Sequence, residues 1–586
     1  MKSRIQDLLE FIYGPDTGRE TFSTLSTLLD RWQKELPSKS TEEEFADGFP
    51  LNERDSIIIT YGDQFQKKGK QPLEVLGEFF RVFLEGTVTG IHILPFYPYS
   101  SDDGFSVMDY RSVHPDWGTW EDIQNLSRSY LLMADLVLNH CSAQSAWFQK
   151  FLKGEEPYTR YFISLPPETD VSKVVRPRLH PLLTKFASSG GDKYVWTTFS
   201  EDQVDLNYAE PKVLLEMVDI LLFYVQKGIR IFRLDAIAYL WKELGTPCIH
   251  HPKTHAMVKL FRAIFDQVAP DVLIITETNV PHKENLSYFG EGDEAHMVYQ
   301  FALPPLLLDA FLRSDSTHLQ EWVASIKMPG PGMSFLNFAA SHDGIGVLPA
   351  QGILSSTEMQ GMLKAVEERG GFVSYKATPE GKVPYELNIN YFSAISEPTL
   401  SEELRIKKFL ASQSILLALP GVPGIYIHSL IGSENDRKGA EESGIKRRIN
   451  REKLWYDRVQ EALSTRGSIR EQVFSRFEDL LRARIQEPAF HPLASCQVLP
   501  TPKKVFALLR TRRPQEEPVG VLCVVNLHYK PVEVCFNAAE LRLGEERYFK
   551  DLITGDVFYP TWEDYAHFSL ELQPFEVLWL GFKRRG

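Results

Sequence analysis

Eight short apolar runs recur between residues 57 and 427, and amphipathic stretches separate most of them. The runs are Ile57–Thr60, Ile91–Leu94, Met133–Leu138, Ile229–Leu234, Val272–Thr276, Val298–Phe301, Ser334–Ala340 and Val422–Ile427. Leu73–Phe83, Val213–Val225 and Thr254–Val268 are intervening stretches with helical spacing. Apolar, often β-branched runs of this kind are strands covered on both faces, and a helix between successive runs makes them parallel. Eight such units predict an α/β chain folded as a (β/α)8 barrel, with its site at the carboxyl ends of the strands. A doubly wound three-layer sheet gives a similar alternation, so the count alone leaves both architectures open.

The flanks differ. Residues 1–50 place Ile5, Leu8, Leu9, Ile12 and then Leu25, Leu28, Leu29, Trp32 at helical spacing, which predicts two amphipathic helices. Residues 51–140 form the first part of the barrel and 201–495 the rest. The interval 141–200 is too long for a plain connection and is expected to be an inserted subdomain; 345–405 is a second long loop. From 496 to 586, short strands such as Val505–Leu509, Gly520–Leu527 and Phe568–Leu572 predict an all-β C-terminal domain.

Charge narrows the function. There are 64 Lys and Arg against 78 Asp and Glu, a formal charge of −14. That balance disfavours nucleic acid and anionic membranes as partners. The five cysteines are scattered without a CxxC, so a disulfide framework or zinc site is not expected. The N-terminus turns acidic early, and no apolar run reaches the ~18 residues of a membrane span. The expected location is the cytoplasm.

Charged residues follow four of the eight runs. They are Asp135 through Asn139-His140, Arg233-Leu234-Asp235, Thr276-Glu277-Thr278, and Ser341-His342-Asp343. Taken singly, an Asp after a strand is more often a turn or helix cap, and Arg233 with Asp235 reads as a structural ion pair. In a barrel, however, all four ends open into one bowl. Three carboxylates, two His and an Arg would meet there, and charge is costly to bury unless it is paired or used.

These four segments, in this order, resemble the short conserved regions of the α-amylase family. The similarity spans about residues 50–586. Leu94-Pro95-Phe96-Tyr97-Pro98, Asp102-Asp103-Gly104-Phe105, Trp196–Phe199, Gln203–Leu206, Phe301–Leu308, His342–Gly346 and Arg448-Ile449-Asn450-Arg451 are similar to its sucrose phosphorylase branch. The resemblance implies the barrel, and it implies roles. Asp235 is the expected nucleophile, Glu277 the general acid and base, and Asp343 the stabiliser of the transition state. His140, His342 and Gln203 are expected to meet the glucosyl unit, with Phe105 and Phe199 as apolar walls. Arg233 is expected to orient Asp235 and keep it ionised. Asp102 and Arg447 are expected to pair and close the pocket floor, which suits a small glucoside rather than starch. No metal and no cofactor are implied.

A glucosyl-enzyme can pass its sugar to water, another sugar or phosphate. In the branch, tyrosines matching Tyr239 and Tyr385 help hold phosphate, and a His used there is Asn279 here. Leu240–Thr246, Thr276–His282 and Asp293–Tyr299 are similar to the phosphorylases that split 2-O-α-glucosylglycerate with inorganic phosphate. Glycerate is an anion, so Arg176, Arg178 and Arg448 are candidates to meet its carboxylate; a solvated basic face is the competing reading. Sucrose, sucrose 6′-phosphate and glucosylglycerol are alternative donors, and an α-glucosidase is a further alternative. Amylase-like chains that serve only as binding subunits typically lack the nucleophile or the acid, and both are present here.

Overall fold

A computed structural model describes residues 2–36, 48–178, 180–378, 381–511, 519–544 and 547–584. Eight parallel strands close a barrel in sequential order. They are β1 (Ile57–Thr60), β2 (Gly90–Ile93), β3 (Leu131–Leu136), β4 (Ile229–Leu234), β5 (Leu273–Thr276), β6 (Met297–Tyr299), β7 (Ser334–Phe338) and β8 (Val422–Tyr426). Each coincides with one of the eight runs read from the sequence. Ile57, Met133, Ile231, Ile275, Met297, Leu336 and Val422 pack within one core cluster. Their removal from water, at about 25 cal/mol per Å² of apolar surface, is what makes uninterrupted Ile, Val and Leu runs stable there.

Helices cover the outside. Pro72–Phe83, Pro211–Gln226 and Pro252–Val268 each begin with proline in the first turn, where a missing N–H costs nothing. The N-terminal residues form α1 (Lys2–Tyr13) and α2 (Pro15–Glu35); residues 37–47 lie outside the described ones. The Trp32 indole of α2 donates to Asp219 on the helix after the inserted segment, at 2.8 Å.

Two excursions stand above the carboxyl ends of the strands. One contains the helix Ala146–Lys153 and the hairpin Leu183–Ser188 with Gly191–Trp196. It is anchored where His140–Ser142 pairs antiparallel with Gln203–Asp205. The other contains the helix Ser356–Glu368 and the hairpin Phe372–Thr378 with Gly381–Asn388. From Ser495 the chain forms a six-stranded and a three-stranded sheet around their own apolar core. Among the described residues no helix is long and apolar enough to cross a membrane.

Candidate active site

Asp235 and Glu277 are the first residues past β4 and past β5. Neighbouring strands in register carry them to adjacent positions: the Glu277 amide donates to the Leu234 carbonyl at 3.2 Å, and the Asp235 amide to the Leu136 carbonyl at 3.3 Å. Ala236, next to Asp235, holds a left-handed backbone (φ 49°), and its amide donates to Glu277 Oε2 at 3.1 Å. Strain of this kind persists where surrounding structure over-determines it, and it clusters at functional sites. Arg233, two residues back on the same strand face, donates through Nη1 to Asp235 Oδ1 at 2.7 Å. The same nitrogen bonds Asp135 Oδ1, and Arg233 Nη2 stands 3.9 Å from Glu277 Oε2. Asp135 is fully buried, and its other oxygen lies 2.7 Å from His92 Nε2.

Arg233, Asp235, Ala236 and Glu277 line a cavity with an empty volume of about 740 Å³, part of it open to solvent. Asp102, Phe105, His140, Phe199, Gln203, His342, Asp343 and Arg447 also line it, together with Asn279, Arg178 and Tyr385. The Phe105 ring stacks on His342 with centroids 5.0 Å apart. His140 Nε2 lies 3.0 Å from the Phe105 carbonyl and 3.2 Å from the Gln203 amide.

Burial dominates the electrostatics. It pushes the Asp235 carboxyl up to about 8, against the lowering effect of Arg233, and it pushes Glu277 up as well. The expectation that Arg233 would hold Asp235 low is therefore corrected: one cation, shared with fully buried Asp135, does not offset desolvation plus the repulsion of a second carboxylate. Both carboxyls of the pair therefore hold their protons more tightly than free ones. Burial also pushes Asp343 up, but the guanidinium groups of Arg447 and Arg451 outweigh it and hold that carboxyl well below the usual range. His342 is pushed down to about 3 and His140 is lowered, in both cases chiefly by burial, so both imidazoles are neutral.

Three expectations change. Asp102 and Arg447 do not form an ion pair. Arg447 grips Glu386 through Nε (3.0 Å) and Nη2 (2.6 Å) and meets Asp343 Oδ1 at 2.6 Å, while Asp102 accepts from Gln203 at 3.2 Å. The planar guanidinium edge matches a two-oxygen partner, and Glu386 on the hairpin supplies it. Arg448 turns away from the cavity to Asp103. Arg176 is exposed and, among the described residues, donates only to the His180 carbonyl at 3.4 Å, outside the cavity. Tyr239 is half-buried beside the cavity, its ring edge-on to the lining residue Phe199 at 5.4 Å and its hydroxyl within the influence of Tyr385, Glu277 and Arg178. Sequence reasoning did not assign Glu386, Phe338 or Ser341 to the site. Phe338 and Ser341 were marked by their place at the end of β7; Glu386 had no local signal.

Lys242 fills the ground beside His140. Its buried ammonium lies 2.6 Å from Asn139 Oδ1 and 2.8 Å from Asp205 Oδ2. Among the described residues no group of three or more His, Cys, Asp or Glu is placed to hold a metal ion.

A closed eight-stranded parallel barrel, with an acid pair at the ends of strands four and five and an Asp after strand seven, is the architecture of the α-amylase family, and the chain belongs to it. Residues 85–328 match the family model described as "Alpha amylase, catalytic domain". The chain is 58% identical to the glucosylglycerate phosphorylase of Spirochaeta thermophila over 98% of each chain. It is 46% identical to that of Allomeiothermus silvanus, over 92% of this chain and 94% of the other. The sucrose phosphorylase of Agrobacterium vitis is more distant, 29% identical over 74% of this chain and 88% of its own. Among solved structures, the sucrose 6F-phosphate phosphorylase of Thermoanaerobacter thermosaccharolyticum has the same fold, with a TM-score of 0.71 and 23% identity over 83% of this chain and 95% of that one.

Proposed function

We propose that the protein is a retaining phosphorylase. It splits 2-O-α-glucosylglycerate with inorganic phosphate into α-glucose 1-phosphate and D-glycerate. The relatives that cover nearly the whole chain carry that activity in their names, and those named for sucrose, sucrose 6F-phosphate or glucosylglycerol stand below 30% identity.

One observation of the site carries the acceptor side. Three arginines line the cavity. Arg233 is taken by Asp135 and Asp235, and Arg447 by Asp343 and Glu386. Arg178 alone has no carboxylate partner among the described residues; its guanidinium lies 5.6 Å from the centre of the Tyr385 ring. One unneutralised cation over an aromatic face accommodates one anion at a time. Glycerate and phosphate are both anions, so the first must leave before the second binds, which fits double displacement.

The chemistry follows from the charges. The reaction needs the proton on Glu277 and the charge on Asp235, and Arg233, which lies against Asp235 and farther from Glu277, favours that arrangement over the reverse. Glu277 gives that proton to the bridging oxygen as glycerate leaves. Asp235 attacks the anomeric carbon and forms a covalent glucosyl-enzyme. Phosphate then attacks the same carbon from the face glycerate left, Glu277 takes its proton, and the α configuration returns. Asp343, held ionised, stabilises the positive charge that develops on the sugar. No cofactor takes part; phosphate is a co-substrate.

Two measurements test this reading. Cleavage of 2-O-α-glucosylglycerate should depend on phosphate and give the α anomer of glucose 1-phosphate by NMR; equal cleavage without phosphate would favour a glucosidase. Arg178→Met should raise the KM for both phosphate and D-glycerate about 10- to 100-fold, the loss expected for a charge-assisted contact. An unchanged KM for both would remove Arg178 from the anion site.

A further inference from the structure

The segment Asp102-Asp103-Gly104 has three successive residues with positive φ, at 53°, 49° and 115°. Gly104 admits no other residue, because a Cβ there would lie 2.5 Å from the Pro95 carbonyl oxygen. The two left-handed aspartates cost of order 1–2 kcal/mol each, so something must hold them. Asp102 and Phe105 face the cavity; Asp103 does not. Asp103 points behind the wall and is only 7% exposed. Arg451 Nη1 donates to its Oδ2 at 2.7 Å, and Arg448 Nη2 bonds its Oδ1.

Arg451 is itself buried and reaches the opposite side of the pocket. Its Nε donates to the His342 carbonyl at 2.7 Å, and its Nη2 lies 3.6 Å from Asp343 Oδ1. One guanidinium thus joins the loop that carries Asp102 and Phe105 to the loop that carries His342 and Asp343. The stack of Phe105 on His342 spans the same gap from the cavity side.

We propose that Asp103, gripped by Arg451 and Arg448, is a positioning residue that sets the width of the glucose pocket from behind its wall. Arg448 belongs to this clamp and not to the acceptor site. The clamp rests on the assignment of this cavity as the glucosyl site, and not on which acceptor it serves. Without the Asp103 carboxylate, Arg451 keeps Asp343 as its one ion-pair partner among the described residues and is drawn toward it. The His342 loop moves with it, and the Phe105 stack opens.

The test uses hydrolysis of α-glucosyl fluoride by the full chain, followed by fluoride release, because water is then the acceptor. Asp103→Asn is the first variant: Asn tolerates the left-handed backbone, so the change removes charge alone. The KM for α-glucosyl fluoride should rise about tenfold or more, with kcat within about threefold. A residue that only held the fold would reduce the active fraction, lowering kcat and leaving KM. Arg448→Met, at a half-exposed position, is the second variant and serves if the first does not fold. It should raise the KM for α-glucosyl fluoride about threefold and leave the KM for D-glycerate unchanged. An α-glucosyl fluoride KM within the error of wild type in the folded variants would overturn the proposal. So would an Arg448→Met protein that lost only glycerate binding. Wild-type protein that released fluoride but made no glucosylglycerate would fail the acceptor reading and leave this one standing.

Discussion

Asp235→Ala abolishes transfer to every acceptor, with kcat about 10⁴-fold or more below wild type, as expected when a covalent nucleophile is removed. The loss is not one of folding. Burial raises the Asp235 carboxyl, so its charge is disfavoured in the folded protein at neutral pH. A carboxyl with a raised folded-state pKa favours the folded protein at low pH, and that contribution is lost as pH rises through about 8. Removing the group therefore leaves Tm unchanged or higher, the usual exchange of stability for function at a charged site. Arg233 keeps Asp135 as its partner in the variant. The vacated space also gives a positive assay. Azide admitted there should attack α-glucosyl fluoride and give β-glucosyl azide, with inverted configuration. Normal turnover by Asp235→Ala, or azide product of α configuration, would remove Asp235 from the nucleophile role.

Glu277→Gln separates the acid from the nucleophile. With 2-O-α-glucosylglycerate the leaving oxygen needs a proton, and kcat should fall about 10²- to 10⁴-fold, the range of general acid catalysis. With α-glucosyl fluoride the leaving group needs far less help, and formation of the glucosyl-enzyme should proceed near the wild-type rate. The pH profile supplies the second readout. Catalysis requires the pair to hold one proton, so the rate falls in acid when it takes a second and in alkali when it loses the last; both limbs belong to the pair. In Glu277→Gln the alkaline limb with the fluoride should vanish. The acid limb should stay where it is, because Glu277 is already protonated and neutral where the pair takes its second proton, and Gln is neutral too. An unaltered alkaline limb would assign that titration to another group.

The barrel was legible because burial on both faces leaves a plain trace, an unbroken apolar run, and the residue after each run is at a strand end by construction. Asp235, Glu277 and Asp343 follow from that rule together with order. What the sequence does not show is partnership. Arg176 and Arg178 differ by two positions; one faces solvent and the other the cavity, and no pattern in an irregular loop distinguishes them. Arg447 and Arg448 are neighbours; one meets Asp343 and the other turns to Asp103. Glu386 reaches the site on a hairpin about 40 residues past Asp343, and the Asp102–Arg447 pair was lost to it. Which carboxylate an arginine chooses is decided by tertiary distance, which charge content alone does not encode. The same holds for Asp235, where burial, invisible in the string of letters, outweighed the adjacent cation.

Reverse synthesis tests the central claim most directly. The enzyme is given α-glucose 1-phosphate with D-glycerate, fructose, fructose 6-phosphate or glycerol in separate reactions, and phosphate release is followed against a control without acceptor. Release driven chiefly by D-glycerate is the predicted result. Release driven by another acceptor would change the substrate and keep the mechanism, and equal release with no acceptor would contradict the phosphorylase reading.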